Sequence, residues 1–128
     1  MGDKIPRPTD AELAILNVLW QRGPSTVREV HDALSSTHDT GYTTVLKLLQ
    51  IMTDKGLVDR DESARAHVYK TRYSEQRTQR QLLGDLIDRA FRGSPAQLVM
   101  QALSATRASA EELTAIRQLL ERMEGDAK

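Results

Sequence analysis

The stretch Tyr42-Thr43-Thr44-Val45-Leu46-Lys47-Leu48-Leu49-Gln50-Ile51-Met52-Thr53-Asp54-Lys55, closed by Gly56, decides the fold. At about 100° per residue from Thr43, the side chains of Val45, Leu48, Leu49 and Met52 fall between about 140° and 240°. One continuous apolar stripe of this kind predicts an amphipathic helix from about Tyr42 to Lys55, stopped by Gly56. Thr43, Lys47 and Gln50 cluster within about 40° of zero, on the opposite face. Tyr42, Thr44 and Leu46 flank them. Any surface helix has a polar side, and a solvated face is one reading of these residues. The other is that the face reads base edges in a major groove. Hydroxyls and amides bond bases, a lysine meets phosphate, and apolar carbons meet thymine methyls. Leu46 is expected to be exposed on this face, which costs solubility unless something covers it.

What surrounds the helix weighs the two readings. Downstream, Leu57 to Arg60 and Ala66 to Thr71 read as paired strands, with Asp61 to Arg65 as their polar loop. Arg65 and His67 lie near the hairpin tip, and Lys70 and Arg72 at its base. Such cations suit phosphate or minor-groove contact. Asp61 and Glu62 share the loop, so a merely soluble charged hairpin is the competing reading. Upstream, Thr9 with Glu12 makes a capping box for a helix striped by Leu13, Leu16 and Trp20 and stopped by Gly23-Pro24. Ser25 or Thr26 caps a second helix with the stripe Val27, Val30 and Leu34, and Ser35 to Gly41 forms a turn. Three helices followed by a hairpin predict the winged form of the helix-turn-helix, over residues 1–73.

Residues 74–128 read as helices alone. Ser74 opens a long one, with pairs Leu82–Leu83, Leu86–Ile87 and Ala90–Phe91, ending at Gly93. Ser94-Pro95 starts a short one striped by Leu98, Val99, Ala102 and Leu103. Ser109 with Glu112 caps a last one striped by Leu113, Ile116, Leu120 and Met123. About 55 residues bury little surface by themselves. Leu82, Leu83, Leu86, Ile87, Leu98, Val99, Leu113, Ile116 and Leu120 are therefore expected to form a dimerisation face, and folding back on the first domain is the alternative. The fold class is all-α with a small β-hairpin wing, followed by a helical dimerisation module.

Composition narrows the chemistry. Eighteen basic and eighteen acidic residues cancel, so no overall field favours nucleic acid, yet Arg65, Lys70, Arg72, Arg77 and Arg80 face only Glu75 between positions 65 and 80. With no cysteine in 128 residues, disulfides, thiolate metal sites and cysteine nucleophiles are excluded. His31, His38 and His67 show no ligand spacing, so no metal is expected. The carboxylate pairs Asp61–Glu62 and Glu111–Glu112 lie in a loop or at a helix start, where they serve capping rather than acid–base catalysis. No Gly-rich phosphate loop or nucleophile elbow is present. No catalytic residue, cofactor or small-molecule substrate is expected, and the chain is not expected to be an enzyme; a small metal-dependent hydrolase lacks its ligands. The polar, proline-bearing run Met1 to Thr9 does not read as a secretory signal, and no apolar run approaches the roughly 20 residues of a membrane span. A cytoplasmic location is the expectation.

Several of these words together resemble the BlaI/MecI/CopY family of bacterial repressors, the penicillinase repressors. They are Pro8-Thr9-Asp10-Ala11-Glu12 leading to Leu19-Trp20, Thr26-Val27-Arg28-Glu29-Val30, Tyr42-Thr43-Thr44-Val45, Leu48-Leu49-Gln50, Lys55-Gly56-Leu57-Val58 and Arg65-Ala66-His67-Val68-Tyr69. The resemblance covers nearly the whole chain. It implies a dimeric winged-helix transcriptional repressor bound to a palindromic operator, with Tyr42 to Thr53 matching the recognition helix. With the helix face and hairpin tip described above, Tyr42, Thr43, Thr44, Leu46, Lys47, Gln50, Arg65 and His67 are the residues expected at the DNA. Members acting in antibiotic resistance resemble substrates of a membrane metalloprotease sensor that cuts an Asn-Phe bond in the fifth helix. The matching position here is Gln101-Ala102, a departure from that pair. Copper-responsive members carry a C-terminal cysteine motif, which this chain lacks. A winged-helix protein-interaction module that reads no DNA is the alternative function.

Overall fold

The computed structural model of the chain describes residues 4–127; residues 1–3, at the head of the polar N-terminal run, and residue 128 lie outside them. Helix α1 spans Asp10–Arg22, with Thr9 and Glu12 forming the reciprocal box that its sequence announces. Strand β1 is the pair Ser25–Thr26, and α2 is Val27–Leu34. Thr26, rather than Ser25, caps α2, and its partner Glu29 closes a second capping box. Helix α3 runs Tyr42–Lys55 and ends on Gly56 at φ 85°, a left-handed turn that glycine adopts without strain. Strands β2 (Val58–Asp61) and β3 (Val68–Thr71) make the wing; β2 lies one residue later than Leu57 to Arg60, and β3 starts two residues after Ala66.

The sheet has three antiparallel strands in the order β1-β3-β2. In its register Ser25 faces Tyr69, and Val58 faces Thr71. A strand of two residues carries no period, so β1 leaves no trace in the hydropathy pattern. It ties the start of α2 to the wing, and so fixes where the hairpin stands beside α3.

One core holds this region together. Ile15, Leu16 and Leu19 come from α1, Val30 and Leu34 from α2, and Val45, Leu49 and Met52 from α3. Leu57, Val58 and Tyr69 bring in the wing. Each such aliphatic side chain contributes roughly 1.5–3 kcal/mol by leaving water. Ile5 joins the core from the N-terminal run, where its main chain pairs with the Gln81 amide: Ile5 N donates to Gln81 Oε1 at 2.8 Å, and Gln81 Nε2 donates back to Ile5 O. Trp20 Nε1 donates to Tyr73 O at 3.1 Å. Leu46 is not exposed as the helix geometry suggests. It is half-buried against the core, because the wing lies over that side of α3.

Helix α4 spans Glu75–Ala90, α5 Pro95–Ala105 and α6 Ala110–Asp126. Ser94 caps α5 with proline in its first turn, and Ser109 with Glu112 boxes α6. The chain divides into two compact units after Gly84, within α4, so the first turns of that helix belong with the winged head. Gly84 is exposed, and a Cβ there would meet nothing within 4 Å. In the second unit, α5 and α6 contain no buried residue at all. Leu86, Val99, Leu113 and Leu120 are each more than 40% exposed there, and Ile87, Leu98 and Ile116 are half-buried; in the first unit Leu82 is half-buried and Leu83 exposed.

Candidate nucleic-acid interface

Helix α3 presents the face that its periodicity describes. Val45, Leu49 and Met52 are fully buried and Leu48 half-buried, while Tyr42, Thr43, Thr44, Lys47 and Gln50 are exposed. Gly41 begins the helix without a side-chain cap, so the first-turn N–H groups of α3 are unclaimed by any capping side chain. On the wing, Arg65 and His67 are exposed in the loop between β2 and β3. With Tyr42 and Leu46 they line a concavity of about 250 Å³ floored by Tyr69. Five of the eight expected contact residues, Thr43, Thr44, Lys47, Gln50 and Tyr42, thus share the helix surface, and Arg65 and His67 come from the wing beside it. Leu46 lies beneath them as a wall.

The basic residues of the head divide into two sets. Lys55 binds the buried Glu12 at 2.6 Å, Arg72 binds Asp59 at 2.7 Å, Arg60 binds Glu62 at 3.1 Å, and Arg22 binds Glu29 at 3.4 Å. Arg72, expected at the base of the wing as a free cation, is instead held by two hydrogen bonds from its guanidinium to Asp59 Oδ1, and that carboxylate raises its pKa further. Lys70 shares its surroundings with Asp61, whose own carboxyl is held low by the hydroxyl and N–H of Ser63. By contrast, Lys47, Arg65 and His67 have no ion-pair partner among the described residues. Unpaired Lys47 on α3 and Arg65 on the wing loop thus stand beside exposed hydroxyls and an amide, whereas the paired Lys55, Arg60 and Arg72 brace the scaffold.

Arg28 of α2 belongs to the uncompensated set and is not evident from sequence. Its guanidinium carbon lies 4.9 Å from the centroid of the Tyr42 ring, and it lines the same concavity as Arg65 and His67. The signal available was its place two residues past the cap at Thr26, in the first turn of α2. Among the described residues no group of three His, Cys, Asp or Glu is placed to hold a metal ion, and no helix is long and apolar enough to cross a membrane.

The penicillinase repressor family model matches residues 8–122, nine-tenths of the chain. The chain belongs to the penicillinase repressor family. Like the other members it is a DNA-binding transcriptional repressor and not an enzyme. It is 34% identical over 122 residues to the transcriptional regulator BlaI of Mycobacterium tuberculosis, covering 94% of this chain and 88% of that relative. It is 27% identical over 118 residues to the penicillinase repressor of Bacillus licheniformis, covering 92% of each. Its fold is similar to the solution structure of the monomeric form of Bacillus licheniformis BlaI in complex with the blaP half-operator, with a TM-score of 0.51 and 30% identity over 57% of this chain and 89% of that one. This penicillinase repressor carries a winged head built from α1, α2, α3 and the three-stranded sheet, with α3 as the second helix of its helix-turn-helix.

Proposed function

We propose that this repressor binds a palindromic operator as a homodimer, reading bases with α3 and gripping phosphates with the wing. The observation that carries the reading is the segregation of charge: Lys47, Arg65 and His67 have no ion-pair partner among the described residues and stand beside the exposed Thr43, Thr44 and Gln50, while Lys55, Arg60 and Arg72 are held by carboxylates. Phosphate contacts set register, and hydroxyl and amide groups supply the sequence information. The half-operator complex of the Bacillus licheniformis protein supports operator DNA as the partner. Two half-sites call for two heads, and the exposed Leu86, Val99, Leu113 and Leu120 supply the apolar surface for a second copy. In the same reading the helices beyond the wing, from residue 74 on, serve assembly, although the compact units part only after Gly84.

Release of the operator proceeds by cutting in α5, under a membrane metalloprotease sensor. Gln101 and Ala102 are both exposed within that helix, and a cut there detaches α6. The Gln-Ala pair in place of Asn-Phe calls for a sensor of different side-chain preference.

The test is Lys47→Ala. Its operator affinity should fall, and the slope of log affinity against log salt should flatten by about one unit if the ammonium meets phosphate. Mobility shift across a salt series measures both; an unchanged affinity and slope would place α3 away from DNA.

A further inference from the structure

Tyr42, the first residue of α3, is held from α2 on two sides. The Arg28 guanidinium lies over its ring face at 4.9 Å, and the His31 ring meets it edge-on at 6.1 Å and 64°. The acids nearest along α2 are engaged elsewhere. Glu29 accepts from Thr26 N at 2.9 Å and pairs with Arg22, and Asp32 faces His31 at 3.2 Å. Arg28 therefore has a ring to lie on and, among the described residues, no carboxylate to pair with. The concavity that it lines with Tyr42, Leu46, Arg65 and His67 has no acidic residue in its wall.

A guanidinium held over an aromatic ring by cation–π attraction keeps N–H groups directed away from the ring, free to bond an anion bidentately. Stacking also removes much of the rotamer freedom that a phosphate contact would otherwise have to freeze. The sides of the concavity come from α2, α3 and the wing loop, the three elements that β1 and β3 tie together. We propose that Arg28 grips a backbone phosphate of bound DNA in this concavity, and that Tyr42 is its positioning residue. The inference rests on the DNA-binding reading above and adds a third anchor from α2. It also assigns Tyr42 to holding the guanidinium rather than to reading a base.

A phosphate contact is blind to sequence, so the probe is a mixed-sequence duplex titrated with the full chain across a salt series. Arg28→Ala should bind about tenfold more weakly, as expected for losing one charge-assisted hydrogen-bonded contact, with the salt slope lowered by about one unit. Arg28→Lys should keep the slope and recover only part of the affinity, since an ammonium neither forks nor stacks as well. Tyr42→Phe should match the parent protein, whereas Tyr42→Leu should lose affinity several-fold with the slope retained. Thermal unfolding of each variant separates these losses from damage to the fold. Wild-type slope and affinity in Arg28→Ala, or Tyr42→Leu binding as well as Tyr42→Phe, would overturn the assignment while leaving operator binding standing. A parent protein that binds no duplex at any salt would overturn both.

Discussion

Glu12 accepts from the Thr9 backbone N–H at 2.8 Å and from Lys55 Nζ at 2.6 Å, with its side chain only 3% exposed. One carboxylate thus closes the α1 capping box and ties the C-terminal end of α3 to α1. Burial pushes its pKa up, but the Lys55 ammonium and the Thr9 N–H outweigh burial and hold the group below the ordinary value of 4.5. A carboxyl whose folded pKa is depressed contributes stability above its unfolded pKa, and that contribution is lost as pH falls through the folded value. Glu12→Gln keeps the shape and the cap but removes the charge. It should destabilise the head by about 1.5–2 kcal/mol at neutral pH, the worth of a hydrogen bond to a charged partner. The gap between Glu12→Gln and the parent should close as pH drops below 4.5. Urea unfolding of both proteins at neutral pH and well below that value checks it.

At the scale of elements, the wing and α3 are expected to do different work. Arg65 and His67 sit in an exposed loop with no ion-pair partner among the described residues, where N–H donors meet phosphates rather than base edges. Replacing both with Ala should weaken specific and non-specific duplexes by the same factor; a mobility shift in which only the specific duplex suffers would make the wing a base reader. The helices themselves were legible because caps and stripes are local. Thr9–Glu12, Ser94-Pro95 and Ser109–Glu112 each mark a start that the structure keeps. What the sequence does not display depends on partners far along the chain. Ile5 looks like part of a polar tail until Gln81, 76 residues away, takes up its main chain. Ser25 looks like a cap until β3 pairs with it. Leu46 looks exposed on a helical wheel because a wheel has no wing, and Arg72 looks free because Asp59 faces it only across the hairpin. Arg28 escapes for the same reason: its ring partner, Tyr42, lies on the next helix.

At the scale of the whole molecule, the buried apolar core of the described residues lies between Ile5 and Tyr69, and none of it comes from α5 or α6. A chain cut short before Gln101 should therefore retain its winged head. It should lose α6, with the exposed Leu113, Leu119, Leu120 and Met123, and hence much of the apolar surface offered to a second copy. Such a protein is expected to sediment as a monomer and to bind the operator far more weakly than the full chain, because two linked heads gain from effective concentration and one does not. Sedimentation paired with a mobility shift measures both; a truncated chain that stays dimeric, or binds as tightly, would remove the last helices from the assembly.

Gly84, at the border of the two units, has open space where a Cβ would go. Packing does not demand a glycine there, and in an exposed helix interior it is worth about 1 kcal/mol less than alanine. A glycine in that position gives α4 a weaker turn than alanine would. The amides just after residue 84 should trade their protons for solvent deuterium sooner than those around Thr78, whose side chain is buried. Gly84→Ala should slow that exchange and leave the unit before it unchanged. Equal exchange in the two proteins would show that the helix is as tightly closed at its glycine as elsewhere.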